Sequence, residues 1–182
     1  MSRGGYMPQC ADTMNALSIR RIDADDGEFL RELFMVADIW DSMVTRRPLD
    51  AVVHGFIYGD AECFVILIGN SRVGVLQCAA TSAHPQLLDG VPETLRDALT
   101  APGVYHIGYA VHPDWRGRGA ATAAVCAVVA QHRTVEPDCA FVALVDCNGA
   151  SAAASVRVLA LCGFVCFAES SPGNTSVHAL FP

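Results

Sequence analysis

One stretch of this chain has little freedom in how it folds. Val104–Val111 is a run of strand-forming residues, Pro113 breaks it, and the glycines of Arg116-Gly117-Arg118-Gly119 force a tight turn. Ala120–His132 follows, rich in Ala and Val and without a breaker, which reads as a helix. The apolar run Cys139–Cys147 is then a second strand. A strand–helix–strand unit of this length places its strands parallel, with a right-handed crossover.

The flanking segments read differently. Leu17–Ile22 is a short strand, and Asp23, Asp25 and Asp26 offer capping carboxylates to an amphipathic helix marked by Phe29, Leu30, Leu33, Phe34 and Val36. A second helix covers Leu49–Tyr58. Cys63–Ile68 and Val73–Ala80 flank the turn Gly69-Asn70-Ser71, which is of hairpin length and predicts an antiparallel pair. Ser82–Gly103, with Pro85, Pro92 and Pro102, reads as an inserted loop holding a short helix at Glu93–Leu99. Ser151–Leu161 is a helix stopped by Gly163, and Phe164–Ala168 and Ser176–Phe181 are closing strands. The expected fold is α/β (α+β): a mixed, mostly antiparallel sheet of about six or seven strands, with helices on both faces. Residues 17–182 form one domain, preceded by a disordered segment at 1–16.

Composition narrows the partners. Hydrophobic residues make up 52% and charged residues 17%, enough apolar material for one core. A formal net charge of −7 without a Lys/Arg run argues against nucleic acid. The acidic surface suits a cationic amine acceptor and serves solubility equally well. The longest apolar helix-like run, near Ala120–Ala130, is too short to span a bilayer. The eight cysteines include no Cys-x-x-Cys and no zinc spacing, so no metal is expected. They read as buried free thiols in a reducing, cytoplasmic setting.

The turn at Arg116–Ala121 carries chemistry of its own. A helix start leaves four N–H groups unpaired at the positive end of the peptide dipoles, and glycines let an anion approach the backbone. The loop is neither a Walker loop nor a dinucleotide fingerprint. An ordinary strand-to-helix turn is the alternative.

The wider segment Ile107-Gly108-Tyr109-Ala110-Val111-His112-Pro113-Asp114-Trp115-Arg116-Gly117-Arg118-Gly119-Ala120-Ala121-Thr122 resembles the cofactor signature of the acetyl-CoA-dependent N-acetyltransferase (GNAT) superfamily, in which Arg/Gln-x-x-Gly-x-Gly/Ala matches Arg116, Gly119 and Ala121. Ser155–Phe164 resembles a second block, in the branch that acetylates ribosomal-protein and other N-termini. The resemblance implies that the parallel strands splay apart and admit the pantetheine arm of acetyl-CoA. Tyr109, Ala110 and Val111 would contact that arm. Arg116, Gly117, Arg118, Gly119, Ala120, Ala121 and Thr122 would hold the pyrophosphate, and the acceptor would arrive from the other side.

It also implies catalytic candidates. His106 stands where many relatives of that branch carry Glu, and would act as base; a strand histidine satisfied in the core is the alternative. His112 is a weaker rival. Ser155 would protonate the leaving thiolate or bond the pantetheine, unless it bonds within its own helix. Where the family often has an acidic Tyr, this chain has Leu159, and where the branch has Asn it has Ala152. Asn148 is then either a cofactor ligand on a longer helix or that helix's N-cap. Asp60 and Glu62 would line the acceptor mouth or stand as solvated turn carboxylates. Trp40, Trp115 and Tyr58 read as packing residues.

The implied activity is acetyl transfer to a primary amine, on a small molecule or a peptide N-terminus, by a monomer or homodimer. A non-catalytic CoA-binding sensor and a structural domain that binds nothing are the alternatives.

Overall fold

The computed structural model describes residues 17–42, 47–88, 91–170 and 175–182; the segment 1–16, with Cys10, lies outside them. Among the described residues seven strands are formed: β1 Leu17–Arg21, β2 Glu62–Ile68, β3 Ser71–Ala80, β4 Val104–Val111, β5 Ala140–Asp146, β6 Val165–Ser170 and β7 Thr175–Leu180. They make one sheet in the order β1-β2-β3-β4-β5-β7-β6. The β4–β5 pair is parallel and the other neighbouring pairs are antiparallel. The mixed sheet matches the expectation, and the reason is connectivity. Only β4 and β5 are joined through a long helix, while the two-residue turn Gly69-Asn70, with Gly69 at φ 58°, folds β3 straight back on β2.

The helices are α1 Gly27–Phe34, α2 Ala37–Ser42, α3 Leu49–Tyr58, α4 Glu93–Leu99, α5 Ala120–Val135 and α6 Ala152–Leu161. They cover both faces. On one face, Ala124, Val125 and Val128 of α5 and Leu159 of α6 bury Ile66, Leu76, Ile107 and Phe141. On the other, α1–α3 pack Leu30, Leu33, Phe34, Ile39, Val52 and Val53 against Val75. Beside them Leu88, Val91 and Leu99 cover Val142 and Val177. The inserted segment is therefore not a bare loop: it roofs the β5–β7 side of the sheet.

Two local features go beyond the sequence reading. After α1 the chain forms the extra short helix α2, to which the sequence reading assigned no element. The acidic cluster caps a 3-10 turn at Ala24–Asp26 ahead of α1: Asp23 accepts the Asp25 N–H, and Asp26 accepts the Asp23 N–H at 3.0 Å. Asp26 is buried and takes Arg20 Nη1 and Nη2 at 2.7 Å each and Arg72 Nε at 2.8 Å. Burial pushes its carboxyl up, but the Arg20 hydrogen bonds and the cationic surroundings win, and it sits below the usual carboxylate range.

Candidate active site

The parallel pair β4–β5 is short. It runs through Val104↔Ala140, Tyr105↔Phe141 and His106↔Val142 and stops. Beyond it β4 stays on β3 as far as Gly74↔Val111, and β5 stays on β7 as far as Asp146↔Thr175. The sheet is thus forked, with its apex at His106. Backbone directions follow from the bonds around the fork. Thr81 N–H donates to Val104 O, and His112 N–H to Val73 O, so even-numbered β4 residues aim their polar groups at β3. Ala140 N–H donates to Gly103 O, so odd-numbered residues aim theirs towards β5. The amides of Tyr109 and Val111, beyond the last β4–β5 pair, therefore line the fork, where β5 has withdrawn. Ala110 pairs with Val75, so of the three expected contacts only Tyr109 and Val111 offer backbone to the gap. An open strand edge of this kind accepts an extended ligand by main-chain hydrogen bonds.

The loop that follows β4 ends at the start of α5. Gly117 and Gly119 have φ of 73° and 79°, the left-handed region that a β-carbon disfavours. Gly119 is the N-cap of α5, so no side chain caps the helix, and its first turn holds no acidic residue. The first helical bond joins Ala123 N–H to Gly119 O, leaving the N–H groups of Ala120, Ala121 and Thr122 ahead of the ladder. By contrast α1, α3 and α4 carry Glu28, Asp50 and Glu93 in their first turns. A helix of 16 residues with a bare positive end has the electrostatics to hold an anion.

The two arginines of the loop differ. Arg116 is a brace: its Nε donates to Val111 O at 3.0 Å and its guanidinium pairs with Asp38 on α2, which holds that carboxyl below its ordinary value. Its backbone N–H is used too, by Pro113 O. Arg118 is exposed at the mouth, over the Trp115 ring at 4.7 Å and donating to Asp114 O at 3.0 Å. His112 supports the turn, accepting the Asp114 N–H at its Nδ1 at 3.4 Å.

His106 sits at the apex, on the face of the sheet that carries Val142 and the inserted roof, opposite α5. Its Nδ1 has no solvent contact and no hydrogen-bond partner, though part of the residue remains accessible. Burial lowers its pKa to about 4, so the ring is neutral near pH 7. Across the sheet Tyr109 donates its phenol to the Ser155 backbone carbonyl at 3.2 Å, and burial pushes that phenol up to about 12. The structure thus joins Tyr109 to Ser155 on the α5–α6 face and leaves His106 on the other. Sequence reasoning named Tyr109 for its backbone alone. The phenol-to-carbonyl contact spans 46 residues and leaves no local pattern to read.

Asn148 is not the N-cap of α6: the helix begins at Ala152 after the N-cap Ser151, and Asn148 stands in the preceding turn, its N–H donating to Asp146 Oδ1 at 2.9 Å. The cap reading fails because the chain needs a full turn to leave β5 before it can wind. Leu159, in place of an acidic Tyr, is fully buried in the core.

Asp60 and Glu62 lie away from the fork. They line a cavity of about 480 Å³ near the far end of α5, with Cys78, His84, His132 and Glu136. Trp40 and Trp115 pack on the core clusters, while Tyr58 is 65% exposed. The seven described cysteines are free; Cys63, Cys78 and Cys139 are buried as expected, but Cys126, Cys147 and Cys166 are exposed. Among the described residues no group of acidic, Cys or His side chains is arranged to hold a metal ion, and no helix is long and apolar enough to cross a membrane.

Residues 27–164 match the family model described as acetyltransferase (GNAT) family. No curated protein matches the sequence. Among solved structures, the aminoglycoside acetyltransferase AAC(6')-Ib in complex with coenzyme A superposes with a TM-score of 0.70 at 16% identity, over 91% of this chain and 94% of that one. The yncA protein of Salmonella typhimurium with its cofactor acetyl-CoA gives 0.65 at 16% identity, over 92% and 94%. A domain from Methanocaldococcus jannaschii gives 0.66 at 12% identity, over 91% and 98%. At these identities the likeness is one of fold.

Proposed function

This chain belongs to the acetyltransferase (GNAT) family, and from that premise we propose that it transfers the acetyl group of acetyl-CoA to a primary amine, of a small molecule or a peptide N-terminus. The observation that carries the reading is the forked β4–β5 pair beside an α5 start that bears neither cap nor acid. The residues fit the cofactor. The N–H groups of Ala120, Ala121 and Thr122 would hold its diphosphate, Gly117 and Gly119 leave room for it, and Arg118 adds a charge at the mouth. The fork edge at Tyr109 and Val111 would pair with the pantetheine amides. Asn148 would contact the pantetheine from the turn before α6.

Bound acetyl-CoA supplies a thioester whose carbonyl carbon a neutral amine attacks. The Val111 N–H would meet the negative charge that develops on the carbonyl oxygen. His106 would take the amine's proton on its imidazole ring, from the side opposite α5. A base this weak removes little from a solvated ammonium, of pKa about 8 for an α-amine and about 10.4 for a lysine. The same burial that lowers His106 disfavours the charged amine as well, so the acceptor would enter neutral. Ser155 would hydrogen-bond or protonate the leaving sulfur from α6.

A second reading, a CoA-binding module without turnover, draws on Leu159 standing where the family often has an acid. One experiment separates the two: calorimetric titration with acetyl-CoA, followed by thiol-release assays over a panel of amines. Binding with release supports the enzyme, and binding without release supports the module. No binding removes both.

A further inference from the structure

Two thiols stand in contact beside the phosphate-binding helix. Cys126 Sγ on α5 and Cys162 Sγ, in the corner between α6 and β6, are 3.5 Å apart. Among the described residues no other two thiols share a hydrogen-bond contact: Cys147 and Cys166 turn to backbone carbonyls instead. Cys126 is exposed and Cys162 is partly buried, so a reagent in solvent can reach the first and not readily the second. Cys162 Sγ also lies 3.5 Å from the carbonyl of Thr122, one helical turn before Cys126 and in the first turn of α5. The corner itself turns through Gly163, at φ 87°.

We propose that Cys126 and Cys162 form a reversible intramolecular disulfide that draws the α6–β6 corner onto the first turns of α5 and weakens acetyl-CoA binding there. The disulfide stands on the geometry alone; its effect on binding rests on the function proposed above. A disulfide needs sulfurs about 2.05 Å apart, so closure shortens the contact by about 1.5 Å and removes the Cys162 S–H that bonds the Thr122 carbonyl. That movement is delivered to the turn whose amides would grip the diphosphate.

The oxidant is a low-molecular-weight disulfide, RSSR. The Cys126 thiolate attacks one sulfur of RSSR, forming Cys126–S–S–R and releasing RS⁻, which takes up the Cys126 proton. The Cys162 thiolate then attacks the Cys126 sulfur, expelling the second RS⁻, which takes up the Cys162 proton. The two protein thiols are oxidised and RSSR is reduced to two RSH. The order follows from exposure. It agrees with the Cys162 thiol being pushed up to about 12, first by burial and then by the Cys126 sulfur, a second cause that capping Cys126 removes.

The test uses the full chain. Treatment with glutathione disulfide should yield protein lighter by two hydrogens and a proteolytic peptide joining Cys126 to Cys162. Its acetyl-CoA Kd should rise about tenfold and return to the starting value with dithiothreitol. Cys126→Ser and Cys162→Ser variants should bind like the reduced protein whatever the oxidant. Finding only glutathione adducts, or other cysteine pairs, overturns the proposal. A verified cross-link with unchanged Kd overturns its regulatory half. Reduced protein that fails to bind acetyl-CoA refutes the proposed function instead, and the mass measurement still decides the disulfide.

Discussion

A histidine whose ring nitrogen finds neither water nor partner costs a folded chain stability, and His106 accepts that cost at the apex of the fork. Its folded pKa of about 4 lies below its ordinary value, so the unfolded chain binds the extra proton first as pH falls. Stability tied to this group is complete above pH 6.5 and is lost on acidification towards pH 4, by about 3 kcal/mol. Urea melts of wild type and His106→Leu across that range should show the loss in the first and not in the second. With acetyl-CoA and an amine, His106→Ala should lower kcat by at least about tenfold and leave cofactor affinity nearly unchanged; equal turnover at every pH removes His106 from the reaction. Asp26 offers a purely structural contrast. Asp26→Ala strands Arg20 and Arg72 and should cost about 3 kcal/mol in denaturant melts. Its neighbours in sequence marked it as a cap, which it is, but nothing local announces Arg72, 46 residues on. Short-range roles are written in short-range pattern; ion pairs across the sheet are not.

The most exposed test of the proposed diphosphate site is the junction of loop and helix α5. Gly119→Glu puts a β-carbon at φ 79° and a carboxylate at the bare helix start. Calorimetry should show acetyl-CoA affinity reduced about a hundredfold or more, equivalent to about 2.7 kcal/mol, while the circular dichroism of the fold persists. This junction was the most legible part of the sequence, because Pro113 and the glycines punctuate it within a few residues. β4 and α4 also fall where their patterns end. The divergence of β4 from β5 has no residue-level sign: it arises from the competing claims of β3 and β7 on either side. Helix α2 escaped notice for a related reason. Its six residues are too few to establish a period, yet it supplies Asp38 to Arg116. The cap alternative for Asn148 fails because a cap is recognised by distance from a helix start, and that start lies three residues later than the cap reading requires.

At the scale of the molecule, a ligand that binds only the folded chain must raise its stability. Acetyl-CoA at a hundredfold excess over Kd should add about 2.7 kcal/mol, read as a rise in thermal midpoint; an unchanged midpoint at millimolar cofactor counts against the site. Fold class was open to sequence reading since the order of elements, one long crossover among short turns, admits few arrangements. The roof formed by Leu88, Val91 and Leu99 was not, because these apolar residues declare a core only once β5 and β7 lie beneath them. The fork itself has a mechanical consequence. Only three residue pairs stitch β1–β4 to the β5-β7-β6 group. The chain is therefore less a plate than a book held by a short spine, and whatever lies between its leaves becomes part of the binding. Removing that occupant should loosen the β5-β7-β6 leaf as a unit, seen as faster amide exchange along β5 while β2 and β3 keep their protection.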